Sequence, residues 1–149
     1  MATKKASSIV TRCSSCGTGN RIPRARLNDR PTCGRCGQPV FVGRPTDLSE
    51  SSFESAIGGS LPVVVDFWAP WCGPCRTMAP EFERATAQLE PRFRTARLNT
   101  EESPGISARY GIRSIPTMIV FQDGREVARH SGAVPASDIV RWAETAVSI

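Results

Sequence analysis

No run of apolar residues in this 149-residue chain approaches the ~20 that a membrane-spanning helix requires, which argues against a membrane span. The opening stretch, MATKKASSIVTRC, has basic residues but no apolar h-region ahead of its first cysteine. An export signal is therefore not expected, and the expected location is cytoplasmic. Aromatic residues are scarce at the start, where Phe41 is the only one before Pro45. That leaves little for bases to stack on and argues against nucleic acid as a partner. Histidine is rarer still: the single one, His130, stands in no site motif and is expected at the surface.

Acidic residues are nearly missing from the same first part. Residues 1–45 set nine Lys and Arg against Asp29 alone, a balance of +8, whereas the remainder sets ten basic groups against thirteen acidic ones, −3. Such an excess can attract an acidic partner or nucleic acid. Composition changes at the same place, in the polar stretch GRPTDLSESS from Gly43 to Ser52. A domain boundary is expected near Pro45, giving units 1–45 and 46–149, with a connection that lets the first move. With 40% hydrophobic residues the chain can bury one core of the usual ~100-residue domain size and one small appendage.

Cysteine is what the chain does have, and it comes in pairs. All six fall into CxxC motifs: Cys13/Cys16, Cys33/Cys36 and Cys72/Cys75. Without an export signal, that pattern favours metal ligation or redox chemistry over structural disulfides. The first two pairs stand sixteen residues apart, a spacing that matches zinc sites. A tetrahedral zinc needs four donors converging from two short turns, and each CxxC turn presents two sulfurs on one side of a tight loop. Gly17 and Gly37 directly follow the pairs, where a positive φ turns backbone N–H groups toward the thiolates. Two disulfides or four free thiols are the alternatives. A segment of ~45 residues whose main large apolar groups are Ile22, Leu27, Val40, Phe41 and Val42 needs a staple to fold, which favours one zinc ion on Cys13, Cys16, Cys33 and Cys36 in a ribbon of short hairpins.

The third pair has a different setting. PVVVDFWA is a continuous β-branched and aromatic run, as expected of a strand covered on both faces. From Cys75 the apolar positions Met78, Phe82, Ala85 and Leu89 recur at helical spacing, with Pro80 expected to kink the helix. Cys72 thus falls at a strand-to-helix turn, where the helix N-terminus stabilises a thiolate. Asp66 lies inside the apolar strand. It is either a buried polar residue satisfied by backbone and water, or a group that exchanges a proton near neutral pH because burial disfavours its charge. TARLN and TMIVF read as further buried strands, QDGR as a hairpin turn into EVARHS, and PASDIVRWAETAV as an amphipathic helix with Ile139, Trp142, Ala143 and Ala146 on one face. Helices alternating with strands imply an α/β fold.

The segments VVDFWAPWCGPC, ARLNTEESPGISARYGIRSIPTMIVFQDGREV and SGAVP resemble the thioredoxins, and the resemblance runs from about Asp47 to Ile149. With the two N-terminal CxxC pairs, the whole chain resembles the thioredoxin 2 family, bacterial thioredoxins that carry a zinc-binding extension. The resemblance implies a thioredoxin fold, a central mixed sheet flanked by helices, with a small N-terminal zinc ribbon. It implies that Cys72 attacks a disulfide, that Cys75 resolves the mixed disulfide, and that Asp66 is the buried aspartate beneath the second cysteine. Pro116 matches the cis-proline that faces the CxxC motif, and Ile115 before it offers backbone groups to an extended substrate. Trp71, Gly73, Pro74, Ile115, Gly132 and Ala133 match the apolar docking surface, and Trp68 packs the site. Arg97 stands where many thioredoxins have a lysine, and an arginine does not readily give up its proton.

The activity implied is that of a monomeric protein-disulfide reductase acting on oxidised protein substrates. It binds no organic cofactor and is recharged by NADPH only through thioredoxin reductase. An oxidase or isomerase is the nearest rival. The Gly73-Pro74 pair favours the reductant, because oxidants of this fold more often place a histidine beside the second cysteine. A zinc or redox sensor, or a binding module whose ribbon selects partners, is the reading from a different class. The zinc site itself is expected to be structural or redox-responsive.

Overall fold

In the computed structural model, which describes residues 7–147, the apolar run read as a buried strand is the middle of a five-stranded sheet. The elements are β1 (Ser8–Arg12), β2 (Gly19–Pro23), a 3-10 turn (Arg24–Arg26), β3 (Thr46–Leu48), α1 (Phe53–Ile57), β4 (Val63–Trp68), α2 (Gly73–Leu89), β5 (Arg94–Asn99), α3 (Pro104–Arg109), β6 (Thr117–Gln122), β7 (Arg125–Ser131) and α4 (Ala136–Val147). Sheet order is β3-β5-β4-β6-β7, with β3 and β4 parallel to β5, and β6 antiparallel to both β4 and β7. The β6–β7 turn is the expected Asp123-Gly124 pair, both at positive φ, as a tight two-residue hairpin requires.

Apart from Asp66, strand β4 is apolar because helices cover both of its faces. Val63, Val65 and Phe67 pack with Phe53, Ile57 and Ile106 from α1 and α3. Val64 packs with Met78, Phe82, Ala85, Ile139 and Ala143 from α2 and α4. The two-residue period of the strand therefore assigns Asp66 to the face covered by α2. Helix α2 continues across Pro80 to Leu89. Arg76, whose carbonyl loses its helical partner at Pro80, is exposed, as Pro80 is, so water can serve that oxygen. His130 is half-buried rather than at the open surface, its ring 6.0 Å from that of Trp142, because α4 lies against β7.

The N-terminal segment forms two hairpins, one from β1 and β2 and one closed by a bridge between Thr32 and Pro39. Its core gathers Ile9, Cys13, Ile22, Cys33 and Val40, and is completed by Leu61 from beyond β3. The connection expected to let this segment move is built into the sheet: Thr46–Leu48 pairs with β5 as an edge strand. Its polar composition hid it, since a three-residue edge strand needs no apolar run. Arg94, 8% exposed at the head of β5, fastens the two parts. One guanidinium nitrogen donates to the Val40 carbonyl at 3.0 Å, another donates to Ser14 Oγ, and the group lies 4.6 Å from the Phe41 ring centre. Ser60 and Val10 exchange two more hydrogen bonds, and the Gly43 N–H donates to Glu90 at 2.8 Å. Arg94→Met keeps the stem and removes the donors, so it is expected to loosen the N-terminal segment by about 2 kcal/mol. Faster amide exchange at Ile9, Ile22 and Val40 with unchanged exchange in β4 is the expected record, and unaltered Val40 exchange would refute the role.

Candidate active site and zinc centre

Strand β4 ends at Trp68, the chain turns through Ala69, Pro70 and Trp71, and Cys72 becomes the N-cap of α2. Its backbone is extended and its Sγ accepts the Cys75 N–H at 3.2 Å, which places the sulfur against the unpaired donors of the helix start. Cys75, one turn into the helix, is joined to Cys72 as a disulfide with a Cα separation of 5.3 Å. Cys72 retains 4% of its surface and Cys75 none, so an incoming sulfur has access to the first alone. The Ile115 carbonyl oxygen lies 3.8 Å from Cys72 Sγ, and the Ile115–Pro116 peptide is cis. Gly132 donates its N–H to the Pro116 carbonyl at 2.9 Å, which brings the Gly132-Ala133 loop to the same rim. Trp71 is 65% exposed, with its indole N–H held by Glu101, and Gly73, Pro74, Gly132 and Ala133 are also exposed. An apolar collar thus surrounds a barely accessible sulfur, and backbone groups of Ile115 stand beside it.

Asp66 is wholly buried, and its Oδ1 has no hydrogen-bond partner among the described residues. Oδ2 lies 3.5 Å from Arg97 Nε on β5, whose register sets the two residues side by side. The Arg97 guanidinium stacks 4.3 Å from the Trp68 ring centre and its side chain is 19% exposed, so it faces Asp66 from the solvent edge. Burial raises the Asp66 pKa from its ordinary 3.8 to about 6, and the attraction of Arg97 limits the rise. The carboxyl therefore exchanges its proton close to neutrality, on the strand face that α2 covers.

The four N-terminal cysteines converge as the spacing predicts, with all four Sγ atoms within 4.8 Å of one another. Cys13 and Cys36 sulfurs are 3.7 Å apart, Cys16 and Cys33 sulfurs 3.6 Å. A zinc tetrahedron with bonds of ~2.3 Å has edges of about 3.8 Å, so the cluster fits that ion. The two turns repeat one hydrogen-bond pattern. Gly17 and Gly37, both at φ +77, donate their N–H groups to the Cys13 and Cys33 carbonyls, and it is Ser15 and Arg35 whose N–H groups reach the sulfurs. Backbone and Asn20 donors lower the Cys33 pKa to about 6, whereas at Cys36 a backbone donor is outweighed by burial and the neighbouring thiols, which push it up to about 11. The four sulfurs thus share protons that a metal would displace.

Several contacts at these sites carry no sequence signal. Glu101 on the Trp71 indole and Ser14 under Arg94 come from distant or unpatterned positions, and only the folded register joins them. Trp68 packs Arg97 with one face while its own N–H is buried without a partner among the described residues.

Comparison with known proteins agrees with this geometry. Residues 44–145 match the family model described as Thioredoxin, and residues 12–38 match the zinc-ribbon model described as Thioredoxin 2, N-terminal. Similar proteins include Thioredoxin C-3 of Corynebacterium nephridii, 41% identical over 135 residues that cover 90% of this chain and 92% of that one. Thioredoxin M-type, chloroplastic, of Chlamydomonas reinhardtii is 39% identical over 127 residues, covering 83% and 91%. The thioredoxin of a Synechocystis strain is 45% identical over 98 residues, covering 65% and 92%.

The raised pKa of Asp66 makes stability depend on pH with a definite sign. Between 3.8 and about 6 the folded chain holds a proton that the unfolded chain has released, so stability falls as pH rises through that window. Above it the full penalty, about 3 kcal/mol, persists. Asp66→Asn is therefore expected to stabilise the protein by about that amount at pH 7 and by little at pH 4. Denaturant unfolding at both pH values checks this, and an equal effect at the two would count against a proton held by Asp66.

Proposed function

The chain belongs to the thioredoxin family and is a thioredoxin-type disulfide oxidoreductase with an N-terminal zinc ribbon, and on that premise we propose that it reduces disulfides of cytoplasmic proteins. The Cys72 thiolate attacks one substrate sulfur, forms a mixed disulfide and releases the other substrate sulfur as thiolate. Cys75 passes its proton to the Asp66 carboxylate, attacks Cys72 Sγ and releases the second substrate thiolate. Two electrons pass to the substrate, and the protein is left with the Cys72–Cys75 disulfide. Thioredoxin reductase, drawing on NADPH, restores the dithiol.

The observation that carries this reading is the asymmetry of the pair: Cys72 caps α2 at the surface, whereas Cys75 is sealed one turn in, on the helix that covers the face bearing Asp66. Trp71, Gly73, Pro74, Ile115, Pro116, Gly132 and Ala133 form the substrate surface in this proposal. The exposed collar and the Ile115 carbonyl support it by offering apolar contact and an extended backbone partner. Gly73-Pro74 between the cysteines favours reduction over oxidase or isomerase chemistry. No described helix is long and apolar enough to cross a membrane; cytoplasmic residence and a monomeric state belong to the proposal. So does the division into units 1–45 and 46–149, the first holding one zinc ion through Cys13, Cys16, Cys33 and Cys36 as a structural staple.

Insulin-disulfide reduction tests the roles directly. Cys72→Ser is expected to abolish turnover, whereas Cys75→Ser accumulates thiol-sensitive adducts with substrate. Absence of such adducts would reverse or remove the assignment. Chelating the zinc is expected to unravel residues 7–42 while insulin reduction persists, because the metal belongs to the ribbon's stability and not to the dithiol chemistry. Loss of all activity on chelation, with the larger unit still folded, would overturn that separation.

A further inference from the structure

The ribbon carries two clefts that neither the dithiol reaction nor the zinc cluster uses. One, of about 340 Å³, is lined by Arg21, Arg26 and Arg30 together with Asn20, Asp29 and Thr32. The other, of about 350 Å³, is apolar, with Leu27, Pro31, Pro39, Phe41 and Pro91 on its walls. Arg30 and Pro31 line both, so the two adjoin at these residues. We propose that they form one docking groove for an acidic peptide segment of a partner protein, its carboxylates on the arginines and an apolar side chain in the neighbouring cleft.

Three observations point to that occupant. The only carboxylate in the basic cleft is Asp29, and its pairing with Arg26 is 4.0 Å long between two largely exposed side chains, a contact weak enough to be exchanged for an incoming anion. Arg30 adopts φ +51, a conformation non-glycine residues seldom take, so the fold holds this arginine at the junction of the clefts against its backbone preference. Asn20 donates to Cys33 Sγ and accepts the Gly34 N–H, which ties the floor of the basic cleft to the cysteine cluster and keeps it shaped. The apolar half selects a peptide over nucleic acid: the single aromatic there, Phe41, is already stacked by Arg94, which leaves no free ring for a base. Glu90 at the apolar end is occupied by the Gly43 N–H. The groove shares no residue with the surface around Cys72, so its occupancy is separable from the redox reading.

Fluorescence anisotropy with zinc-loaded full-length protein tests the groove. The probes are a labelled glutamate-rich peptide with one leucine, the same peptide with leucine replaced by serine, a lysine-for-glutamate counterpart, and an oligodeoxynucleotide of matched charge. The first peptide should bind, more weakly at higher salt, and tighter than the serine version, the lysine version and the oligonucleotide. Arg30→Gly suits the backbone while deleting the guanidinium, and is expected to weaken binding about tenfold with zinc content and insulin reduction unchanged. Undiminished binding by Arg30→Gly, no binding of the glutamate peptide, or tighter binding of the oligonucleotide would each overturn the proposal.

Discussion

The burial of one carboxyl in a strand covered on both faces is the constraint around which the catalytic part is arranged. Alternation along β4 leaves Asp66 no choice of side once Val63, Val65 and Phe67 have packed against α1 and α3. It must then sit under α2, the helix whose first turn carries the cysteines. The sheet register supplies Arg97 as a charged neighbour, and the Trp68 ring keeps that guanidinium in place. A carboxyl so placed is too well buried to ionise early and too close to a cation to stay neutral at all pH, and the pKa near 6 is the balance of the two.

Helix α2 links the cysteine pair to the strand face that bears Asp66. Its N-terminus offers unpaired donors to the Cys72 sulfur, and its buried face, through Met78, Phe82 and Ala85, is held to β4 by the larger of the apolar clusters. Position and reactivity of the sulfur thus follow from the same packing that stabilises the domain. The rim is less regular: it is assembled from the Ile115–Pro116 segment and the Gly132 loop, tied together by one backbone hydrogen bond. In the proposed reaction such loops present different neighbours to different substrates without disturbing the core.

Most of this was legible in the sequence because the signals were local. The CxxC turns, the β4 run, the α2 periodicity and the Asp123-Gly124 hairpin each declare themselves within a few residues. Long-range features did not. Strand β3 is three residues, two of them polar, that become a strand only through β5, and α1 and α3 are too short for periodicity to show. Arg94 reads as an ordinary surface arginine until its side chain is seen threaded beneath the ribbon. The fastening of the first segment was hidden for the same reason: composition describes the connection, but the contacts that hold it are made by residues elsewhere. His130 drew its place from α4, which no motif around it records.

The fastening has a consequence for synthesis of the chain. The ribbon emerges from the ribosome first, yet its core is closed by Leu61, and the Val40 carbonyl finds its partner on Arg94 only 54 residues later. At translation rates of ~5–20 residues per second that interval lasts about three to ten seconds. Through it, a nascent hairpin pair with four close sulfurs has no protein surface to lean on. Metal captured at that stage would stand in for contacts still to be translated, holding the cysteine cluster together until Leu61 and Arg94 arrive to fasten it.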